Sequence, residues 1–129
     1  MIRISFDYIN KLNLPFIDKY EIIKNVRVLR FKGSIDSEIT AKVLKIKKQT
    51  EKHEDINRMN TLIDLKKVVY GDTAATAALI MRLSELRQRG KKIGLINIPS
   101  DIKRLFEILK CDKLFLIFKS EKEALEKLS

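Results

Sequence analysis

From Val26 onward, short apolar runs alternate with amphipathic stretches. Val26-Arg27-Val28-Leu29-Arg30-Phe31 predicts a strand closed by Gly33, and Thr61-Leu62-Ile63-Asp64-Leu65 predicts a second, followed by Val68-Val69-Tyr70. Ile93 to Ile98 forms a third and Leu114 to Phe118 a fourth. β-Branched and aromatic residues dominate these runs, as they do in strands with much of their surface buried. Between them, apolar positions fall at helical spacing. Ile39, Val43 and Ile46 recur within a stretch from Ser37 to about Lys52, and Ala75, Leu79, Leu83 and Leu86 line the next. Gly90 stands where a left-handed C-terminal cap is expected. Ile102, Leu105, Phe106 and Leu109 form a third stripe, with Ser100 placed to cap it. Ser120-Glu121-Lys122-Glu123 fits a capping box that opens a short helix carrying Ala124, Leu125 and Leu128. Strand alternating with helix implies an α/β domain built on a mainly parallel sheet.

Before Val26 the pattern is harder to read. Asp18 to Ile23 predicts an edge strand, hairpinned to the next through Lys24-Asn25. Residues 1–17, including Leu14-Pro15-Phe16, read as an N-terminal extension, either a further strand or a docking arm. With 129 residues and no Pro/Gly/Ser linker or repeat, residues 18–129 are expected to form a single domain. The predicted core includes Ile39, Val43, Ile63, Leu79, Leu83, Leu95, Leu105, Phe106 and Leu116.

Hydrophobic residues at 45% and charged ones at 34% suit a chain that buries a core and stays soluble. No apolar run approaches the roughly 18 residues of a membrane span, and the start of the chain lacks a signal-peptide pattern. A lone cysteine, Cys111, can form neither an internal disulfide nor a cysteine metal cluster, so a reducing cytoplasm is expected. The net charge of +10 suggests an anionic partner. The basic residues are nevertheless interleaved with Glu and Asp, which favours solvated helix faces over a nucleic-acid groove. The tract from Arg87 to Lys92 has no aromatic residue to stack on bases.

Catalytic chemistry finds no footing. The four glycines are dispersed, so no phosphate-cradling turn can form. Asp64 sits in a strand, but the strand before it ends in Lys32-Gly33 rather than the carboxylate pair of a phosphate-acceptor receiver domain. His53, the sole histidine, lies in a polar stretch and reads as solvated surface. Cys111 reads as a small core residue without a base beside it. The chain is therefore expected to be a binding protein rather than an enzyme, without cofactor or metal.

One segment stands apart. The strand ending Val68-Val69-Tyr70-Gly71 passes into Asp72-Thr73-Ala74-Ala75-Thr76-Ala77-Ala78. Asp72 suits an N-cap, Thr73 then occupies the first helical position, and the alanines leave little bulk against an approaching backbone. This arrangement resembles the STAS family, the anti-sigma factor antagonists and their relatives. There a strand leads into Asp-Ser-Ser-Gly or Asp-Ser/Thr-x-Gly and a helix ending at glycine. Phe31-Lys32-Gly33-Ser34-Ile35-Asp36 is similar to the family's Gly-x-x-Asp strand end. The run Ile98 to Phe106 and the tail from Phe118 to Leu125 also match in order, so the resemblance spans roughly Tyr20 to Leu128.

The resemblance implies a four- to five-stranded mixed sheet with about four helices. It also implies a regulatory switch: the domain binds an anti-sigma factor, often a serine/threonine kinase of the histidine-kinase ATPase type, and phosphorylation abolishes binding until a phosphatase resets it. Thr73 matches the phosphoacceptor, and Asp36, Asp72, Thr73, Ala74, Ala75 and Thr76 match the partner surface, with Thr76 the competing hydroxyl. Ala75 replaces the family glycine. Other branches, stressosome scaffolds and subunits of lipid-transport ATPase complexes, are the alternative reading. A basic nucleic-acid-binding module is a more distant one, and oligomerisation is left open.

Overall fold

The computed structural model describes residues 17–34, 59–69, 74, 76–77, 91–110 and 115–129. The stripes at Ile39, Val43 and Ile46 and at Leu79, Leu83 and Leu86 lie outside these residues, as do Gly90, His53 and Cys111. Five strands form one sheet in chain order: β1 (Ile17–Ile23), β2 (Val26–Ser34), β3 (Thr61–Val69), β4 (Ile93–Ile96) and β5 (Leu116–Ile117). β1 runs antiparallel to β2, and every later neighbour is parallel, giving the mixed sheet expected. Helix α1 (Ser100–Ile108) connects β4 to β5, and α2 (Glu121–Leu128) follows β5. Ala74, Thr76 and Ala77 are helical as well.

The β1–β2 hairpin turns at Lys24 (φ 49°) and Asn25 (φ 67°), as the sequence suggested. Two successive left-handed residues match the right-handed twist of the flanking strands. The separate runs Thr61–Leu65 and Val68–Val69 are one strand. Its pairing slips by a residue between Arg30 and Lys32 of β2, so a bulge inserts a residue of β3 and resets the alternation. β4 stops at Ile96, short of the predicted Ile98, because Asn97 turns left-handed (φ 57°).

On one face of the sheet, Val26, Val28, Leu62 and Ile96 meet Ala124, Leu125 and Leu128 of α2, with Ile23 and Phe118 packed around them. α2 is capped as the sequence indicated: the Ser120 hydroxyl accepts from the Glu123 amide at 3.2 Å. Gly94 permits the close approach of this layer, since a Cβ there would stand 2.7 Å from the Phe118 ring and 2.8 Å from Leu128 Cδ1. Asn60 fastens the far end of α2, donating to the Leu128 carbonyl (2.8 Å) while its own oxygen accepts from the Lys92 amide (2.8 Å).

α1 buries Ile102, Leu105 and Phe106, and Phe106 stacks on Phe115 with centroids 5.7 Å apart. Ser100 does not cap this helix. Pro99 takes the cap position in extended geometry, its carbonyl bonded by the Lys103 amide, and Ser100 becomes the first helical residue. Leu109 and Leu116, read as apolar stripe and core, are each 43% exposed. Leu109 falls past the last helical turn. β5 is a two-residue edge strand, so the inward positions of its run belong to Phe115 and, in part, Phe118. Ile63, Leu95, Leu105 and Phe106 are buried as predicted.

Candidate functional site

β2 and β3 are parallel and stay paired to the last described residue of each: Gly33 pairs with Val68 and Ser34 with Val69. Gly33 adopts φ 82°, a left-handed conformation that a side chain would strain, with open space where a Cβ would stand. Asp36 follows Ser34 by two residues and Asp72 follows Val69 by three, so both aspartates leave from adjoining strand ends. In α/β sheets this carboxyl end is where binding groups collect.

Asp36, Asp72, Thr73 and Ala75 lie outside the described residues. Of the remaining candidates, Ala74 is exposed and Thr76 is fully buried. Their opposite exposure follows from the roughly 200° between positions two apart on a helix. Burial takes Thr76 off the partner-facing surface on which the sequence reading had set it, and removes it as an accessible competing hydroxyl.

Beside the strand ends lies a charged centre the sequence did not announce. Arg30 of β2 donates from Nε to Glu21 Oε2 (3.0 Å), and from Nη1 to Asp64 Oδ2 (2.8 Å) and Glu121 Oε1 (2.6 Å). One guanidinium thus ties β1, β3 and the first turn of α2 to β2. Glu121, then Glu21 and Asp64, hold Arg30 more firmly protonated than a free guanidinium, against the opposing effect of burial. Burial pushes the Asp64 acid up. Hydrogen bonds from the Lys66 amide (3.0 Å), Asn97 Nδ2 (3.1 Å) and Arg30 outweigh it and leave that acid below the ordinary carboxylate value.

The bulge in β3 and an irregularity in β1 between Ile17 and Lys19 flank Phe31 from both sides. Between them opens a shallow recess of about 110 Å³ lined by Asp18, Arg30, Phe31, Asp64, Lys66 and Lys67. Asp18 accepts from Lys67 Nζ at 2.9 Å, and that bond, with Lys67, Lys32 and Arg30 nearby, lowers its acid. Within the opposite side of the sheet, Arg27 is buried and donates Nε and Nη2 to Thr61 Oγ1 (3.2 and 3.0 Å). Burial weakens its hold on the proton, and the adjacent Tyr20 partly restores it.

A register slip in one strand is invisible to periodicity, so the lysines of the recess read in the sequence as scattered surface charge. Only the interruption of an apolar run by Lys66-Lys67 hinted at them. Among the described residues no cluster of His, Cys, Asp and Glu is arranged to hold a metal ion, and no helix is long and apolar enough to cross a membrane.

The STAS domain family model matches residues 19–124. The fold is similar to that of a candidate anti-sigma factor antagonist of Thermotoga maritima, at 18% identity and TM-score 0.70, covering 85% of this chain and 92% of that one. It is similar also to the Bacillus cell-fate determinant SpoIIAA in its phosphorylated form, at 13% identity and TM-score 0.64, covering 86% and 98%. A Moorella thermoacetica RsbS variant matches at 18% identity and TM-score 0.60, covering 84% and 94%.

Proposed function

The chain belongs to the STAS domain family, and from that membership we propose that it is a regulatory protein-binding domain of the anti-sigma factor antagonist type, switched at Thr73. The observation that carries this reading is the pairing of Ser34 with Val69 on neighbouring parallel strands, with Asp36 two residues beyond the one and Asp72-Thr73 three and four residues beyond the other. A structural neighbour described as an anti-sigma factor antagonist, and another described in phosphorylated form, support it.

In this reading the partner is an anti-sigma factor that is also a serine/threonine kinase, and both act in the cytoplasm. Phosphoryl transfer from ATP to the Thr73 hydroxyl, with loss of its proton, leaves ADP and a phosphothreonine carrying about −1.5 to −2 charge. That charge at the contact point disfavours the complex, and a phosphatase restores it. Asp72 has the residue type expected of an N-cap in front of Thr73, and the exposed Ala74 leaves the partner's backbone room to approach.

Binding of the kinase-type anti-sigma factor from the same genome to Thr73 variants tests the proposal. Thr73→Ala should bind like the unmodified domain, while Thr73→Glu should fold normally and lose roughly tenfold or more in affinity. Undiminished binding by Thr73→Glu would refute the switch.

A further inference from the structure

α2 leaves part of its own face of the sheet uncovered. Its first turn meets Arg30 through Glu121, and its last meets Asn60, just before β3, through the Leu128 carbonyl. The helix therefore lies over the amino-terminal half of β2 and β3. Beyond it come the rungs Lys32–Lys67 and Ser34–Val69, all of them exposed.

Lys32 and Lys67 stand directly opposite each other, an arrangement of like charges that costs stability in a sheet. The bulge adds the exposed Lys66 beside them. Asp18 pairs with Lys67, whose side chain is still 62% exposed. Among the described residues no carboxylate forms an ion pair with Lys32 or Lys66. Val69, next along the ladder from Lys67 on the same side, is 59% exposed. The surface is thus three cations and one apolar side chain at the sheet end from which Thr73 departs.

We propose that this Lys32–Lys66–Lys67–Val69 surface docks an acidic segment of the partner protein, one carrying carboxylates around an apolar residue. The proposal rests on the anti-sigma reading for the partner's being a protein, and it deepens that reading by giving the partner's chemistry. Charge complementarity selects an acidic occupant. A nucleic acid fits less well: Asp18 would repel a continuous phosphate backbone, and no aromatic ring is among the large apolar side chains exposed on the described residues. The surface also gives the switch a second arm. A phosphate on Thr73 would compete for these lysines as well as repel the carboxylates they hold.

The test uses a synthetic Glu-Leu-Glu-Leu-Glu-Leu peptide, with a Lys-Leu repeat and a single-stranded DNA oligonucleotide as comparisons, read by amide chemical shifts at about 50 and 150 mM salt. The acidic peptide should shift amides 32–34 and 66–69, more weakly at the higher salt. Lys32→Glu/Lys66→Glu/Lys67→Glu should lower its affinity roughly tenfold, while Lys103→Glu/Lys119→Glu/Lys127→Glu, the same charge change elsewhere, should alter it less than about twofold. Should the first triple variant unfold by circular dichroism, the corresponding glutamine triple replaces it, with a smaller loss expected in the same place. No shifts, shifts centred on Lys103 or Lys122, or equal losses in both triples would overturn the proposal. So would the oligonucleotide shifting the same amides at lower concentration. None of these readouts involves Thr73, so failure here is distinct from failure of the phosphorylation switch.

Discussion

Arg27 is a cation enclosed in the sheet, and its Nε and Nη2 both donate to one hydroxyl, Thr61 Oγ1, with Tyr20 adjacent. A buried donor deprived of its acceptor costs far more than the net value of the bond it made. Thr61→Val preserves the shape and removes the oxygen, so it should destabilise the domain by about 1–3 kcal/mol, measured by urea denaturation. A loss below about 0.5 kcal/mol would mean that Arg27 is satisfied elsewhere. Gly94 poses the opposite problem, of room rather than of polarity. Gly94→Ala sets a methyl within 3 Å of Phe118 and Leu128, and the expected cost is about 1–3 kcal/mol from the displacement of α2. Unchanged stability would show that both side chains turn aside freely.

α2 is the element whose docking depends most on charge. Its apolar side chains meet the sheet, but its first turn is held through Glu121 to Arg30, which also grips Asp64 and Glu21. Asp64 is more acidic folded than unfolded, so the unfolded chain takes up its proton first as pH falls. Its contribution is therefore complete above the unfolded carboxylate value of about 3.9 and declines as pH drops below it, through the lower folded value. Hydrogen exchange should find the α2 amides opening first between about pH 4 and pH 2, and Arg30→Met should flatten that dependence. An α2 whose protection is independent of pH across that range would contradict the account. None of this network was legible in the sequence, because its bonded partners lie up to 91 residues apart and meet only through strand register. What was legible obeyed local rules: the Lys24-Asn25 turn, the Ser120 cap, and the stripes at Ile102, Leu105 and Phe106. The reading failed at Ser100, Leu109 and Leu116, where a proline cap, a helix end and a sheet edge overrode the local pattern.

At the scale of the molecule, a mixed five-stranded sheet brings the ends of β2 and β3 side by side, with α2 covering only the amino-terminal half of that pair on its face. The succession of strands and helices along the chain could be anticipated from the alternation of runs, and the mixed sheet from the family resemblance. The bulges that gather Asp18, Lys66 and Lys67 around Arg30 could not, since a single inserted residue leaves no mark on composition. With the proposed phosphate switch and the proposed cationic docking surface both assigned to one end of this sheet, a single modification of Thr73 would bear on both. Phosphopeptide mapping after incubation with ATP and the kinase-type anti-sigma factor of the same genome tests whether Thr73 receives the phosphate. Phosphate on Thr73, with the buried Thr76 unmodified, is the result expected. Phosphate on Thr76, on another hydroxyl, or on none would contradict it.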